Sequence, residues 1–226
     1  MQSFPGSPRT LRGAIVAADV TSPLSRVIVF QYNPDTVTRT LRPREAPAES
    51  EVGAADAHRL WGAPTETISM KVEVDATDQL EHDDSVAAVS GIAPQLAALE
   101  MLLYPSTVQV IRNAGLLAAG AIEILPPDGP LTVLVWGAAR VVPVRVESLT
   151  ITEEAFDPAL NPIRATVDVA VQVLSYNDLP AADPGNALFL VHQILKEALA
   201  TTGGLRSTVN ATAGGLATAE RFAAAF

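Results

Sequence analysis

Alternating apolar and polar positions predict β-strands over much of the chain. Residues 65–74 and 162–174 both keep a two-residue period, with apolar side chains on one face and polar ones on the other. Between residues 138 and 153 the apolar positions switch from even to odd numbers, which predicts a β-bulge near Glu147 and Ser148 because one extra residue exchanges the faces of a strand. Shorter apolar runs predict further strands at 13–20, 26–32, 36–42, 107–112, 120–125 and 131–136.

Two segments have helical spacing instead. Apolar residues at 92, 96, 99 and 103 predict a helix that Pro105 ends. Asp183 followed by Pro184 predicts the start of a second helix, which Gly203 would stop. We predict that its apolar stripe docks on a partner surface. The stripe consists of Leu188, Val191, Leu195 and Leu199. The segment from residue 216 is either a tail or a short further helix.

The fold class that these patterns predict is mainly β with helices (α+β). We expect a β-barrel or sandwich domain at 1–175 with one packed helix, and a C-terminal helical extension at 176–226. Asn33, Pro34 and Asp35 stop an apolar run abruptly, so residues 25–42 are interpreted as a hairpin or a sharp corner. Residues 43–64 are rich in Pro, Ala, Glu and Gly, and a loop of that length is usually functional or disordered.

Composition narrows the classes of partner. The chain has 226 residues, 48% of them apolar, a formal net charge of −10 and no cysteine. The negative charge disfavours nucleic acid and anionic membrane surfaces, because both are bound mainly through Lys and Arg. No secretory signal and no membrane-spanning segment are expected, and the absence of cysteine is compatible with a cytosolic protein.

Residues that could carry chemistry do not converge in the sequence. His58, His82 and His192 lie in three separate segments, and the acidic turn around His82 lacks the ligand spacing of a calcium loop. Glu153 and Glu154 fall at the predicted end of a strand. No nucleophile motif or phosphate-binding glycine loop occurs. We therefore predict that the protein is not an enzyme and has no catalytic residue, cofactor or metal.

Two stretches carry a resemblance to a known family. VIVFQYNPDTVTRT contains a strand-end motif, and LVWGAARVVPVRVESLTITEEAFDPALNPIRATVDV combines a Trp-Gly turn, a Val-rich strand and Leu-Asn-Pro before a long strand. Together, and in this order, they resemble the contractile injection system tube-protein family over about residues 13–175. The strand-end motif consists of Phe30, Tyr32, Asn33 and Pro34.

The resemblance implies a phage-tail-tube-like fold and a structural role in a phage-tail-like particle. Members form six-fold rings at the junction between the inner tube and the spike-bearing baseplate. The implied partners are therefore further copies of the chain, inner tube proteins, a trimeric spike and baseplate components. The particle would assemble in the cytoplasm, and the resemblance leaves open whether it is later released from the cell. Some members carry a C-terminal LysM module, whose pattern residues 176–226 lack.

Stacking of rings requires protruding segments, so the loop at 43–64 is a candidate contact element. Its candidate contact residues are Glu45, Glu49, Glu51, His58, Arg59 and Trp61. Three alternatives to the adaptor ring stay open. In the first alternative the chain is an inner tube subunit itself. In the second it is a monomeric β-barrel that binds a small apolar ligand, and in the third it is a hydrolase that uses Glu153 or Glu154 as its acid.

Overall fold

A computed structural model describes residues 11–18, 26–45, 58–77, 89–118, 120 and 129–212, without the side chains of 203–212. The strands are β1 (Ala14–Ala18), β2 (Arg26–Val29), β3 (Val37–Arg42), β4 (Thr65–Asp75), β5 (Leu131–Val135), β6 (Val141–Phe156) and β7 (Pro162–Val173). The helices are α1 (Ala93–Glu100), α2 (Thr107–Ala118) and α3 (Pro184–Thr212).

The strands form one antiparallel sheet in the order β2-β1-β5-β6-β7-β4-β3. Together with the helices it confirms the predicted α+β class. The long strands β6 and β7 pair with each other along almost their whole length, and the register shifts between Val146 and Ser148. This shift is the β-bulge predicted from the exchange of faces in the sequence.

The sheet is strongly curled, as a barrel requires. Strands β2 and β3 are consecutive in the chain but lie at opposite edges of the sheet. In a flat sheet of this size the outer strands would be about 29 Å apart, which is close to the longest span that residues 30–36 can bridge. Moreover, the Gln31 side chain, just after β2, accepts a hydrogen bond from the Asp75 backbone at the end of β4 at 3.0 Å. The two edges of the sheet therefore approach each other.

Alternate residues of the strands fill the interior. Ile68, Met70 and Val72 of β4 lie in the core together with Val167, Val169 and Val171 of β7. Ile92, Leu96 and Leu99 cover this core from the segment that leads into and forms α1, and Phe189 covers it from α3. Each fully buried side chain of this kind contributes about 1.5–3 kcal/mol to stability. The face assigned to the late strand from its sequence is confirmed.

Two predictions about single elements are wrong, and the structure decides between the two alternatives of a third. Residues 107–112 belong to helix α2 and not to a strand. Of the two interpretations of residues 25–42, the structure confirms the sharp corner and not the hairpin, because β2 pairs with β1 and β3 pairs with β4, so the segment between them crosses from one edge to the other. Helix α3 continues through Gly203 to Thr212.

Other boundaries are modified or remain untested. Helix α1 ends at Glu100, and a turn separates it from Pro105. Of the strand predicted at 120–125 only Gly120 is described, as part of a turn, and the helix predicted from 216 lies outside the described residues.

Candidate assembly surfaces

The strand-end motif begins with a buried aromatic residue, Phe30, which packs against Trp136. Phe30 is almost completely buried, and its ring lies 6.4 Å from that of Trp136, measured between centroids. Its backbone N–H donates to the Gly13 carbonyl at 2.9 Å. A side chain at Gly13 would meet both rings at under 3 Å, so glycine allows this close packing. The packing of Phe30 and its hydrogen bond to Gly13 hold the end of β2 next to the start of β1.

Asn33 makes the motif a long-range clamp. Its Oδ1 accepts a hydrogen bond from the Gly13 N–H at 2.9 Å, and its Nδ2 donates to the Leu11 carbonyl at 2.8 Å. With Gln31 bound to β4, the corner ties together strands from both edges of the sheet. Tyr32 is exposed and Pro34 is half-buried. The sequence predicted a clean strand end here but not these hydrogen bonds, because their partners lie about twenty residues or more away.

The loop at 43–64 leaves the barrel through a closed neck. Arg44 donates to the Ala63 carbonyl at 3.1 Å and to both carboxylate oxygens of Asp178 at 2.7 and 2.8 Å. Asn177 Oδ1 accepts from the Ala63 N–H at 3.0 Å. Gly62 has φ +111°, and a Cβ there would lie 2.3 Å from the Asn177 side chain, so this position requires glycine. Both ends of the loop are thereby attached to the turn that precedes α3.

The candidate contact residues of the loop are only partly described. Glu45, His58 and Arg59 are exposed, and Trp61 is half-buried. Glu49 and Glu51 lie outside the described residues. Leu60, beside Trp61, is 86% exposed and adds an apolar side chain to the surface at the neck of the loop.

Helix α3 packs on the barrel with a largely polar face. Asn186 and His192 are buried with Phe189, and the Asn186 amide donates to the Leu179 carbonyl at 3.0 Å. His192, which follows Val191 of the apolar stripe in the sequence, is only 5% exposed. Of the predicted docking stripe, Leu188 is half-buried. The other members are exposed: Val191, Leu195 and Leu199.

An ionic cluster fastens α3 to the sheet. The Glu66 carboxylate, 4% exposed on β4, accepts from Arg39 of β3 at 2.6 Å and from Lys196 of α3 at 3.1 Å. Burial raises the pKa of Glu66, but the hydrogen bonds and charges of Lys196 and Arg39 outweigh it, so the pKa lies below its ordinary value of 4.5. Burial, assisted by the Lys196 charge, lowers the pKa of His192 below 6.5, so the imidazole is neutral at neutral pH. The cluster is electrostatic support for the position of the helix.

The sheet offers free strand edges to other chains. Strands β2 and β3 each have a single neighbour in the described sheet, and Val27, Val29 and Leu41 expose apolar side chains there. Strand β6 pairs with β5 only over Val141–Val144, whereas it pairs with β7 from Val144 to Phe156. Most of β6 therefore has a described partner strand on one side only. Unpaired edges of this kind add strands from another chain unless something protects them.

The described residues hold no cluster of three or more His, Asp or Glu side chains suited to a metal ion. Glu154 accepts a hydrogen bond from Thr166 at 2.8 Å, and Glu153 is exposed. A shallow groove of about 310 Å³ lies on the outer face of the sheet and is lined mainly by Thr, Ser, Lys71 and Asp168. None of the helices in the described part is long and apolar enough to cross a membrane. The arrangement offers surfaces for contact rather than converging reactive groups.

The model of the contractile injection system tube protein family matches residues 14–179. The chain belongs to this family. It is therefore a contractile injection system tube protein. The matched region begins at β1 and ends in the turn before α3, so it includes the whole curled sheet.

Comparisons at the level of whole proteins and structures add little to the family match. No curated protein matches the chain. Two solved structures of gene transfer agent (GTA) particles contain similar chains, one in the tail of an empty particle with C6 symmetry and one in a native virion. Their sequence identities are 10% and 8% and their TM-scores 0.27 and 0.26, with 71% of this chain and 90% of each of those chains covered. These scores are too low to support an argument about function.

Proposed function

We propose that this tube protein forms a six-fold ring that joins the inner tube to the spike-bearing baseplate. The observation that carries the proposal is that, among the described residues, each outer strand of the curled sheet has a single neighbouring strand in a member of the tube-protein family. Two different edges on one molecule allow head-to-tail contacts, which repeat around a rotation axis until the ring closes. The function lies in assembly, with no catalytic step.

The division of the chain supports this role. We propose that residues 1–175 form the ring-building barrel and that 176–226 form an extension that docks on a neighbouring component. The neck of the 43–64 loop is attached to the turn at Ser175 and Asp178, so the loop and α3 emerge from the same region of the barrel. A stacking contact and a docking contact would then lie side by side. In this proposal the ring assembles in the cytoplasm as part of the particle.

The second candidate is a subunit of the inner tube itself, which the family description favours. The two roles differ in copy number, because a tube subunit repeats along the whole tail whereas an adaptor forms a ring at one end. The monomeric ligand-binding barrel is disfavoured, because the inward positions of the strands are filled by side chains packed in one core.

Quantitative mass spectrometry of purified particles distinguishes the two roles. For the adaptor we expect about six copies, or a small multiple of six, per particle, independent of tail length. A fused tag should be labelled at one end of the tail in electron micrographs. Copy numbers that rise with tail length, with label along the whole tail, would overturn the adaptor role in favour of the tube subunit. A chain that is absent from particles would overturn both.

A further inference from the structure

Helix α3 is attached to the sheet by a small set of contacts. Phe189 is the large apolar side chain that it buries in the core. Polar contacts add to the attachment, from the Asn186 amide to the Leu179 carbonyl and from Lys196 to Glu66. Its other large apolar side chains are exposed, and they include Leu190, Val191, Ile194, Leu195 and Leu199. An element that buries so little opens locally at a lower cost than the unfolding of the whole sheet.

His192 lies under this helix in surroundings that disfavour a proton on its ring. The residue is only 5% exposed, and its Nδ1 atom is buried with no hydrogen-bond partner among the described residues. A protonated imidazole has an N–H donor on both ring nitrogens, so protonation would leave a buried N–H at Nδ1 without an acceptor. An unsatisfied buried donor on a charged group destabilises the arrangement that buries it.

The charged groups around His192 are mainly positive. Lys196 follows it by one turn of α3, and Arg39 of β3 acts on it from the sheet. Glu66 of β4 is the carboxylate that faces these groups, and it is already bound to both cations. Arg140, in the turn between β5 and β6, lies near Arg39 and Glu66, and burial together with the Arg39 charge lowers its pKa. A proton on His192 would therefore add positive charge where the described residues place three cations around a single carboxylate.

The balance of these groups keeps His192 neutral in the docked helix. Burial, followed by the Lys196 charge, favours the neutral imidazole, whereas a hydrogen bond to the Ala139 backbone and the Glu66 charge favour the protonated form. The net result is a pKa below the ordinary value of 6.5. In a helix detached from the sheet the imidazole is solvated and titrates at its ordinary value. Acid therefore stabilises the detached helix relative to the docked one.

We propose that protonation of His192 in mildly acidic solution releases α3 from the sheet while the strands remain paired. Above about pH 6.5 the imidazole is neutral in both states, and Glu66, whose folded pKa lies below 4.5, stays largely ionised down to that pH. The release therefore belongs to the window between these two values. A released α3 no longer holds its outward face in a fixed position, so docking of the C-terminal extension becomes dependent on pH. This consequence rests on the proposed function of the extension, whereas the release itself rests on contacts within one chain.

Hydrogen exchange followed by mass spectrometry measures the release. The full chain is compared at about pH 7.5 and about pH 5.5, and each amide rate is divided by the intrinsic rate at the same pH. We expect the protection of residues 186–199 to fall severalfold at the lower pH. The fall is about tenfold at most, which is the limit for an imidazole that stays neutral when docked and has a pKa of 6.5 when released. The protection of β4 and β7 should not change.

Variants assign the effect to His192. In His192→Gln the protection of α3 should be the same at both pH values, and in Lys196→Met the loss at the lower pH should be smaller than in the wild type. The matched control is His58→Gln, which changes an exposed histidine and should keep the full loss.

An NMR titration of the imidazole signals, assigned with these variants, tests the proposal even if His192→Gln docks poorly. The His192 signal should titrate below pH 6.5. A signal that titrates at or above this pH would overturn the proposal. Constant protection of α3 in the wild type, an equal loss in His192→Gln, or an equal loss in β4 and β7 would overturn it as well. These outcomes leave the proposed ring unaffected, because its test is the copy number in purified particles.

Discussion

Asn33 joins two backbone groups that lie about twenty residues earlier in the chain. Replacing it with alanine removes the hydrogen bonds to Gly13 and Leu11 and should lower the free energy of unfolding by about 1–2 kcal/mol, since each such bond contributes about 0.5–1.5 kcal/mol. Asn33→Asp keeps an acceptor for the Gly13 N–H and loses the donor, so its stability should be intermediate. Urea unfolding curves measure all three proteins. Equal stabilities would show that the clamp contributes nothing.

Glu66 makes stability depend on pH in a defined direction. Its pKa is lowered in the folded protein by Lys196 and Arg39, which offset its burial, so the unfolded chain binds the proton more readily. The stabilisation is thus complete above about pH 4.5 and is lost as the pH falls through the lower folded value. We expect the wild-type Tm to fall in this acidic range and the slope to be smaller in Glu66→Gln.

The other ionisable groups around Glu66 and elsewhere in the protein provide controls for the pH dependence assigned to Glu66. Asp75 and Asp178 have lowered pKa values as well, so the slope should decrease in Glu66→Gln without vanishing. Lys196→Met removes one partner, and the two changes together should cost less than the sum of their separate effects, because they break the same ion pair. Additive costs with an unchanged slope would contradict the assigned role. His192 adds its own loss of stability below about pH 6.5, and this loss should be smaller in Lys196→Met because the Lys196 charge helps to lower the His192 pKa.

At the scale of elements, the sequence predicted the long strands well and the partners of the short ones poorly. The alternation in β4 and β7 and the change of phase in β6 are local signals, and the structure confirms both. The corner at Asn33 is also local, but a turn does not reveal which strand the chain joins next. That choice depends on the curl of the whole sheet, so the sequence leaves the hairpin and the sharp corner as alternatives and the structure decides for the corner.

Helix α2 shows a different limit. Its first residues, Thr107, Val108, Val110 and Ile111, are β-branched and alternate in part, which favours a strand. The helical spacing becomes clear only when Ala114 and Leu117 are included. The stripe of α3 was recognised from its spacing, yet the sequence alone does not tell whether a stripe faces inward. Contacts such as Lys196 with Glu66 decide the orientation, and they come from distant parts of the chain.

The loop between Arg44 and Ala63 is an element whose removal the barrel should tolerate. The neck already joins its two ends through the Arg44 hydrogen bond to Ala63, so deleting 46–58 leaves a short span to close. We expect a Tm within a few degrees of wild type but a loss of ring stacking or of attachment to the particle. Electron microscopy and the protein content of purified particles measure this outcome.

The control for the deletion keeps the loop and weakens its neck. Arg44→Ala removes the bonds to Ala63 and Asp178 and should lower the Tm, while particles still assemble. If particles carrying the deletion have normal length and composition, then 46–58 is not a contact element.

At the scale of the whole molecule, the fold is a curled sheet whose consecutive strands β2 and β3 end up as its two edges. In the described part of the chain this topology leaves β2 and β3 with one neighbouring strand each, next to exposed Val27, Val29 and Leu41. In a monomeric protein such strand edges are usually covered, because they can pair with other chains and cause aggregation. In a ring subunit the same edges can pair with neighbouring copies. The family assignment and the two outer strands of the described sheet both support the proposed role in assembly.

The last prediction separates assembly from chemistry. A charge on either edge, as in Val29→Glu or Leu41→Glu, should abolish ring formation, because a charge within a paired edge is desolvated without a partner. Ser69→Glu adds the same charge on the outer face of an inner strand and should leave rings intact.

Single changes of His58, His82, Glu153 or Glu154 to alanine should likewise have almost no effect on particle formation. The measurements are the mass of the ring in solution, particle images, and contraction and cargo release by purified particles. If one of these His or Glu variants formed normal particles that had lost their activity, a catalytic role would replace the structural one, and normal rings from both edge variants would remove the edges from the interface.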